Sequence, residues 1–216
     1  MNIIIGNGKC PKKKEINYLK AIGYERIVCA DGGANYTFKN KIIPDYIIGD
    51  LDSIDREVYE YYKDISKIIQ IKRQNDTDIE KVIKFLISQK EKKAIILGGT
   101  GDRIDHTICN LSIIYKYFSK IKLSVLHENT ILIPISGEKS FKSFKGELVS
   151  IFGFNKRGRV TTKGLKYSLK KKALVFGKNE SLSNVSTTNN FTINSQGGIL
   201  FLVRNYEDMK KYDLFF

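Results

Sequence analysis

The chain has 216 residues, of which 42% are hydrophobic and 28% are charged, and its formal net charge is +14. This composition is typical of a globular protein; no apolar stretch approaches the ~20 residues of a membrane helix, and the start is too short for a signal peptide, so we expect a cytoplasmic protein with no membrane partner. Three scattered cysteines without a Cys-x-x-Cys spacing and only two histidines argue against a zinc site and against a disulfide framework.

The first 127 residues alternate short apolar runs with amphipathic stretches, a pattern typical of strand–helix units around a parallel sheet. The clearest predicted helix is Ile79–Gln89, with apolar residues along one face, and the next clearest is Ile104–Phe118. The predicted strands are Asn2–Ile5, Arg26–Ala30, Tyr46–Ile48, Ile68–Ile71, Ala94–Leu97 and Ile121–Leu126.

Residues 128–216 have a different pattern, in which short strand-like runs follow one another with glycines between them. This predicts a small antiparallel sandwich or barrel, of which we favour the sandwich, with a single helical tail at Glu207–Tyr212. The predicted strands are Ile131–Ile135, Glu147–Phe152, Arg159–Thr162, Phe191–Ile193 and Ile199–Val203. The fold class is therefore α/β, with a parallel-sheet domain over 1–127 and an all-β sandwich domain over 128–216.

Short acidic motifs follow four predicted strands of the first domain, at the point where each strand ends. They read Ala30–Asn35, Gly49–Ser53, Gln74–Asp78 and Gly98–His106. Because ligands of open parallel sheets bind at the carboxyl ends of the strands, we expect these motifs to converge. Carboxylates beside glycines are suited to holding Mg²⁺ and phosphate. The candidate carboxylates are Asp31, Asp50, Asp52, Asp76, Asp78 and Asp105.

The Asp50-Leu51-Asp52 motif follows the third strand. In an extended chain, residues two apart point the same way, so both carboxylates could face one ion. The alternative is a turn at Gly49 and Asp50, with Ser53 capping the next helix.

The motif at Asn75–Glu80 also has a structural alternative. Thr77 and Glu80 fit a capping box at the start of a helix, and acids in a first helical turn favour the helix dipole. Either Asp76 or Asp78 could be structural on that reading. Capping and metal binding are compatible, so both interpretations are kept.

The glycine-rich turn Gly98–Gly101 precedes a predicted helix, and its amides could cradle a phosphate. Arg103 would supply donors to a phosphate charge, and Asp105 would need a partner, either Arg103 or a metal-bound water. No Gly-Lys-Ser/Thr follows, so this is not a Walker loop. The alternative is a tight turn with Asp102 as a helix cap.

These motifs predict a Mg²⁺-dependent enzyme acting on a phosphorylated nucleotide, in which the protein positions substrates and neutralises charge. A nucleic-acid-binding protein without activity is the alternative that the positive charge suggests. The lysines are spread along the chain without a recognisable reader module, so we expect no nucleic-acid partner. A nucleotide-dependent transferase with another acceptor also remains open.

The order of the motifs resembles the thiamine pyrophosphokinase family over about residues 1–205. In the first domain the resemblance rests on Ala-Asp-Gly-Gly-Ala-Asn, Gly-Asp-Leu-Asp-Ser, the compact Asn-Asp-Thr-Asp and Gly-Gly-x-Gly-x-Arg-x-Asp-His. In the second domain it rests on Thr161–Tyr167 and Ser181–Asn184.

This resemblance implies transfer of pyrophosphate from ATP to the hydroxyl of thiamine, giving thiamine diphosphate and AMP. It also implies a nucleotide-binding first domain, a β-sandwich that binds thiamine, and a homodimer. In this homodimer the thiamine cleft would lie between the first domain of one subunit and the sandwich of the other. Some family members stack a Trp on thiamine, but this chain has no Trp, so a Tyr or Phe would take that place.

The resemblance assigns the site residues by motif position. The predicted catalytic residues are Asp31, Asp50, Asp52, Asp78 and Arg103, and the predicted Mg²⁺ ligands are Asp50, Asp52 and Asp78. The predicted nucleotide or substrate contacts are Asp76, Thr77, Gly99, Thr100, Asp105, Ser183 and Asn184, the last two in the segment near thiamine.

Overall fold

The chain folds into two compact units, Met1–Glu128 and Asn129–Phe216. The computed structural model describes residues 1–72, 75–101 and 103–215. The sequence placed the boundary after residue 127, one residue before this division. Of the helices in the described ranges, none has the length and apolar character to cross a bilayer.

The first unit is built on six parallel strands in the order β6-β5-β1-β2-β3-β4. The inner strands are nearly continuous runs of Ile, Val, Leu and Ala that are buried on both faces, as parallel sheets require. A mixed α/β fold with a large sheet is thereby confirmed. The strands are β1 (Asn2–Ile5), β2 (Arg26–Ala30), β3 (Tyr46–Gly49), β4 (Lys67–Gln70), β5 (Lys93–Leu97) and β6 (Lys122–His127).

Five helices connect these strands: α1 (Lys13–Ala21), α2 (Gly33–Lys39), α3 (Arg56–Tyr62), α4 (Asp78–Ser88) and α5 (Ile104–Lys116). Thr77 caps α4, because its hydroxyl accepts the Glu80 amide at 3.2 Å. The reciprocal half of the predicted capping box is not formed, since the Glu80 carboxylate instead accepts from Lys116 and Tyr117, each at 2.7 Å. Asp102, the alternative cap of α5, lies outside the described residues, and the cap position of α5 is Arg103.

The strand order reverses between β1 and β5, which makes their carboxyl ends the switch point where ligands of open α/β sheets bind. The two loops that leave these strands are in backbone contact. The Gly8 amide donates to the Gly98 carbonyl at 2.8 Å, and a Cβ on Gly6 would lie only 2.6 Å from that carbonyl oxygen. Glycine is therefore required for this close approach.

The second unit is an antiparallel arrangement around one long strand. Strand β11 (Asn190–Asn205) pairs with β7 (Thr130–Lys142) along both of its halves. Its first half also pairs with β9 (Arg159–Lys163), and its second half with β8 (Leu148–Gly153). The pairing of β11 with β7 is interrupted between Ser195 and Leu200.

The sequence prediction that Phe191–Ile193 and Ile199–Val203 are separate strands is wrong, because both runs belong to β11. The Gly197-Gly198 pair does not end the strand; it forms an irregularity inside β11, with Gly197 at a φ of +80°. Strand β10 (Ser181–Val185), which pairs with β8, was not predicted because its sequence is mostly polar. The unit ends with α6 (Tyr206–Lys211).

Both halves of β11 contribute to one apolar core in the second unit, formed by Ile135, Val149, Ile151, Val160, Leu165, Leu169, Leu174, Phe191, Ile193, Leu200 and Leu202. An ion pair is also fully buried in this unit: the Arg204 guanidinium donates to both oxygens of Glu147, at 2.7 and 3.0 Å. The Ser143 hydroxyl adds a third bond to Glu147 at 2.6 Å.

Candidate active site

Three carboxylates from distant parts of the sequence converge in the first unit. Asp31 follows β2, Asp50 follows β3, and Asp78 is the first residue of α4. One oxygen from each lies within 4.8 Å of the other two. The expected convergence at the carboxyl edge of the sheet is therefore found for these three residues, which are called the carboxylate cluster below.

The backbone around Asp31 explains how this side chain enters the cluster. Asp31 has a φ of +43°, in the left-handed region that Asp tolerates better than most residues. Its amide donates to the Ile48 carbonyl of β3 at 2.9 Å. A Cβ on Gly49 would lie 2.6 Å from the Asp31 Cβ, so only glycine at 49 leaves space for Asp31 beside β3.

The cluster has the electrostatic character of a cation site. Asp31 Oδ1 and Asp50 Oδ1 are buried and have no hydrogen-bond donor among the described residues. Burial, and then the neighbouring Asp50 and Asp78 carboxylates, raise the pKa of Asp31 to about 7. Buried carboxylate oxygens without donors are costly unless a cation or proton compensates them. This donor set fits Mg²⁺, which prefers carboxylate oxygens.

Lys81 contacts the same carboxylates and was not among the predicted site residues. Its ammonium donates to Asp78 Oδ1 at 2.7 Å and to Asp50 Oδ2 at 3.1 Å. Burial alone would raise the pKa of Asp50, but the hydrogen bond and charge of Lys81, together with hydrogen bonds from Asp31 and the Asp52 backbone, lower it. The spacing of Asp78 and Lys81, three apart on a helix, was a signal for their pairing.

Asp52 lies outside the carboxylate cluster. Its side chain is exposed, and its Oδ1 accepts from the Ser53 hydroxyl at 2.9 Å. Leu51 has a φ of +70°, so the expectation that Asp50-Leu51-Asp52 is extended is wrong. The backbone between Asp50 and Asp52 therefore does not direct their side chains to the same side. The role of Asp52 as a metal ligand stays a prediction.

A cavity of about 500 Å³ lies at the carboxyl edge of the sheet. Glycine-rich loops that follow β1 and β5, Gly6–Gly8 and Gly98–Gly101, line it together with Asp78 at the start of α4. Gly99 and Thr100, both predicted contacts, belong to this lining. Backbone amides at such turns are suited to binding phosphate oxygens.

Arg103 also lines the cavity, with a side chain that is 68% exposed. It donates to both oxygens of Asp105, at 3.2 and 2.5 Å, and this hydrogen bonding lowers the pKa of Asp105 to about 2. Arg103 is thus the partner that the sequence required for Asp105. His106, which belongs to the Gly98–His106 motif but was given no role, and Asn110, which was not predicted, line the cavity as well.

The remaining predicted residues have local structural contacts. Asp76 pairs with Lys84 at 2.6 Å, and the Thr100 hydroxyl is hydrogen-bonded to His127 Nδ1 at 2.7 Å. In the second unit, Asn184 is buried and its side chain bonds both the amide and the carbonyl of Tyr167, at 3.0 and 2.9 Å. Ser183 is exposed, and its amide donates to Ser150 Oγ at 3.0 Å.

The pKa of Asp31 predicts a distinctive pH dependence of stability without metal. Because its folded-state pKa is raised from 3.8 to about 7, the folded chain binds more protons than the unfolded chain between these values. The contribution of Asp31 to stability therefore falls as the pH rises through this window. We expect the Tm of the wild type minus that of Asp31→Asn, measured in EDTA, to decrease from about pH 5 to about pH 8. A constant or increasing difference would contradict the raised pKa.

Two family models match the chain. One, described as "Thiamin pyrophosphokinase, catalytic domain", matches residues 21–125. The other, described as "Thiamin pyrophosphokinase, substrate-binding domain", matches residues 130–202. The matches fall in the first and second units respectively.

Several proteins similar to this chain are named thiamine pyrophosphokinase. Thiamine pyrophosphokinase 3 of Oryza sativa subsp. japonica is 30% identical over 189 residues, covering 73% of this chain and 70% of that protein. Thiamine pyrophosphokinase 2 of the same organism is 29% identical over 205 residues, covering 82% and 76%. The fold is similar to thiamin pyrophosphokinase from Candida albicans, with a TM-score of 0.82 at 20% identity over 94% of this chain and 88% of that one.

Proposed function

The chain belongs to the thiamine pyrophosphokinase family, and from this we propose that it transfers pyrophosphate from ATP to the hydroxyl of thiamine, giving thiamine diphosphate and AMP. The single observation that carries the proposal is the carboxylate cluster beside a glycine-lined cavity. Asp78 belongs to both, because it is a member of the cluster and lines the cavity. This combination suits a substrate that brings a polyphosphate and a cation together.

We assign the nucleotide to the cavity at the switch point between β1 and β5. The amides of Gly6–Gly8 and Gly98–Gly101 are the candidate donors to phosphate oxygens. Arg103 lies exposed at the same cavity, where its guanidinium can balance the charge that develops on the phosphates. Asp105 holds that guanidinium in place by two hydrogen bonds.

We propose Mg²⁺ as the cofactor, held by Asp31, Asp50 and Asp78, with Asp52 as a further predicted ligand. The buried oxygens of Asp31 and Asp50 that have no donor among the described residues support this assignment. Bound Mg²⁺ supplies charge neutralisation to phosphate oxygens. Asp31 is added to the predicted ligands because of its distance to Asp50 and Asp78.

The reaction forms a bond between the thiamine oxygen and the β-phosphorus of ATP, breaks the bond from that phosphorus to the oxygen of AMP, and releases the hydroxyl proton. The contribution of the chain is to orient both reactants and to exclude other acceptors. Gly6–Gly8 and Gly98–Gly101 would fix the phosphates, and Arg103 would stabilise the leaving AMP.

The second unit is proposed to bind thiamine and to form a homodimer. Its match to a substrate-binding domain supports the first role, and the predicted contacts there are Ser183 and Asn184. Asn184 holds the backbone of Tyr167, whose side chain is 60% exposed. The homodimer and the cytoplasmic location stay predictions.

The test is a product assay with ATP, thiamine and Mg²⁺. We expect AMP and thiamine diphosphate in equal amounts, and no AMP when thiamine is omitted. ADP with thiamine monophosphate would contradict the transfer of pyrophosphate. AMP formed only with a different alcohol would assign the chain to another acceptor.

A further inference from the structure

The ammonium of Lys81 lies beside the carboxylate cluster, and the proposed reaction gives it no role. It contacts two of the three carboxylates, at 2.7 and 3.1 Å, and its side chain is 2% exposed. Asp50 and Asp78 are 23% and 33% exposed. The ammonium therefore approaches from the protein interior, while the carboxylates keep an open side.

The Lys81 ammonium does not balance the negative charge of the three cluster carboxylates. When all three carboxylates are ionised, as they are when they ligate a cation, they and the Lys81 ammonium leave two negative charges, which is the charge that one divalent cation neutralises. Without Lys81, the same cation would leave one negative charge beside the cavity. A residual negative charge would repel a polyphosphate in a partly buried site, where Coulomb energies are several times larger than in water.

We propose that Lys81 is a positioning residue that serves as the permanent counter-charge of the carboxylate cluster. It holds Asp50 and Asp78 in place before a divalent cation binds, and it limits the negative charge of the three ionised cluster carboxylates to what one such cation cancels. The part of this inference that concerns the nucleotide rests on the proposed function, whereas the part that concerns the metal does not.

Replacing Lys81 should change metal affinity in opposite directions, depending on whether the lysine is a counter-charge or purely structural. Removing a positive charge from the immediate surroundings of a cation strengthens its binding, and a change of at least about tenfold is expected at this range. Removing a residue that only shapes the ligands weakens binding, because the carboxylates lose their arrangement. The sign of the change in affinity therefore distinguishes the two roles.

The experiment uses the full chain and Mg²⁺ alone, without nucleotide. In Lys81→Met, calorimetry should give a Kd for Mg²⁺ at least about tenfold lower than in the wild type. The Tm in EDTA should fall, and saturating Mg²⁺ should recover more Tm than in the wild type. The matched control is Lys84→Met on the same helix, whose ammonium pairs with Asp76 outside the cluster, and its Kd should stay within about twofold.

A Kd for Mg²⁺ that is unchanged or higher in Lys81→Met would overturn the proposal. If Lys81→Met does not fold in either buffer, the double variant Asp78→Asn/Lys81→Met restores the original charge of the cluster. Its folding in EDTA would support the counter-charge, and its failure to fold would contradict it. These readouts need no turnover, so a wild type without thiamine-dependent AMP release would reject the proposed function but not this inference.

Discussion

Replacing Asp50 by Asn should lower kcat for AMP release by at least about a hundredfold and leave the fold intact. Asn has nearly the same shape as Asp but lacks the charge that Asp50 contributes to the carboxylate cluster. Asp50 Oδ1 is buried and has no donor in the part of the chain that the structure describes, so its proposed partner is the cation. The measurement is steady-state AMP formation at saturating ATP and thiamine, with circular dichroism to confirm folding.

The control for this variant is Asp64→Asn, the same chemical change at an exposed residue outside the cluster, and its turnover should match the wild type. Asp52→Asn provides a second comparison. Because the Asp52 side chain is exposed and outside the cluster, we expect a smaller loss than for Asp50→Asn. An Asp50→Asn variant with near-normal turnover would remove Asp50 from the site.

Replacing Glu147 by Ala should lower the free energy of unfolding by about 3–5 kcal/mol. The change leaves the Arg204 guanidinium buried without its carboxylate, although it still donates to the Lys142 carbonyl at 2.7 Å. Neither partner reaches solvent, so the guanidinium loses its charge partner at a position away from bulk water. Urea unfolding of the full chain, followed by circular dichroism, measures the loss.

The matched control is Glu60→Ala, which removes a surface ion pair with Lys63 at 2.6 Å. Exposed pairs are worth at most about 1 kcal/mol, so its effect should be much smaller. Equal effects for the two variants would mean that the Arg204–Glu147 pair does not stabilise the second unit more than a surface pair does.

The sequence predicted the framework of the first unit because each of its strands is a short apolar run between amphipathic stretches. It also predicted that acids at strand ends converge, and Asp31, Asp50 and Asp78 do so. These predictions succeeded because they depend on burial and on sheet topology, which repeat along the chain.

The predictions that were wrong or missing depend on backbone dihedral angles and on contacts between residues that are distant in sequence. The φ of +70° at Leu51 cannot be read from a motif, yet it removes the reason to place Asp52 beside Asp50. The pairing of Lys81 with Asp50 spans 31 positions of sequence and becomes visible only when α4 packs near β3. The continuity of β11 through Gly197-Gly198 likewise depends on β7, whose pairing resumes beyond the interruption.

The most direct test of the carboxylate cluster is anomalous diffraction from crystals grown with Mn²⁺ and an ATP analogue. We expect a Mn²⁺ peak about 2 Å from oxygens of Asp31, Asp50 and Asp78, with phosphate oxygens in the remaining positions. A peak bound by other residues, with these three carboxylates free of metal, would contradict it.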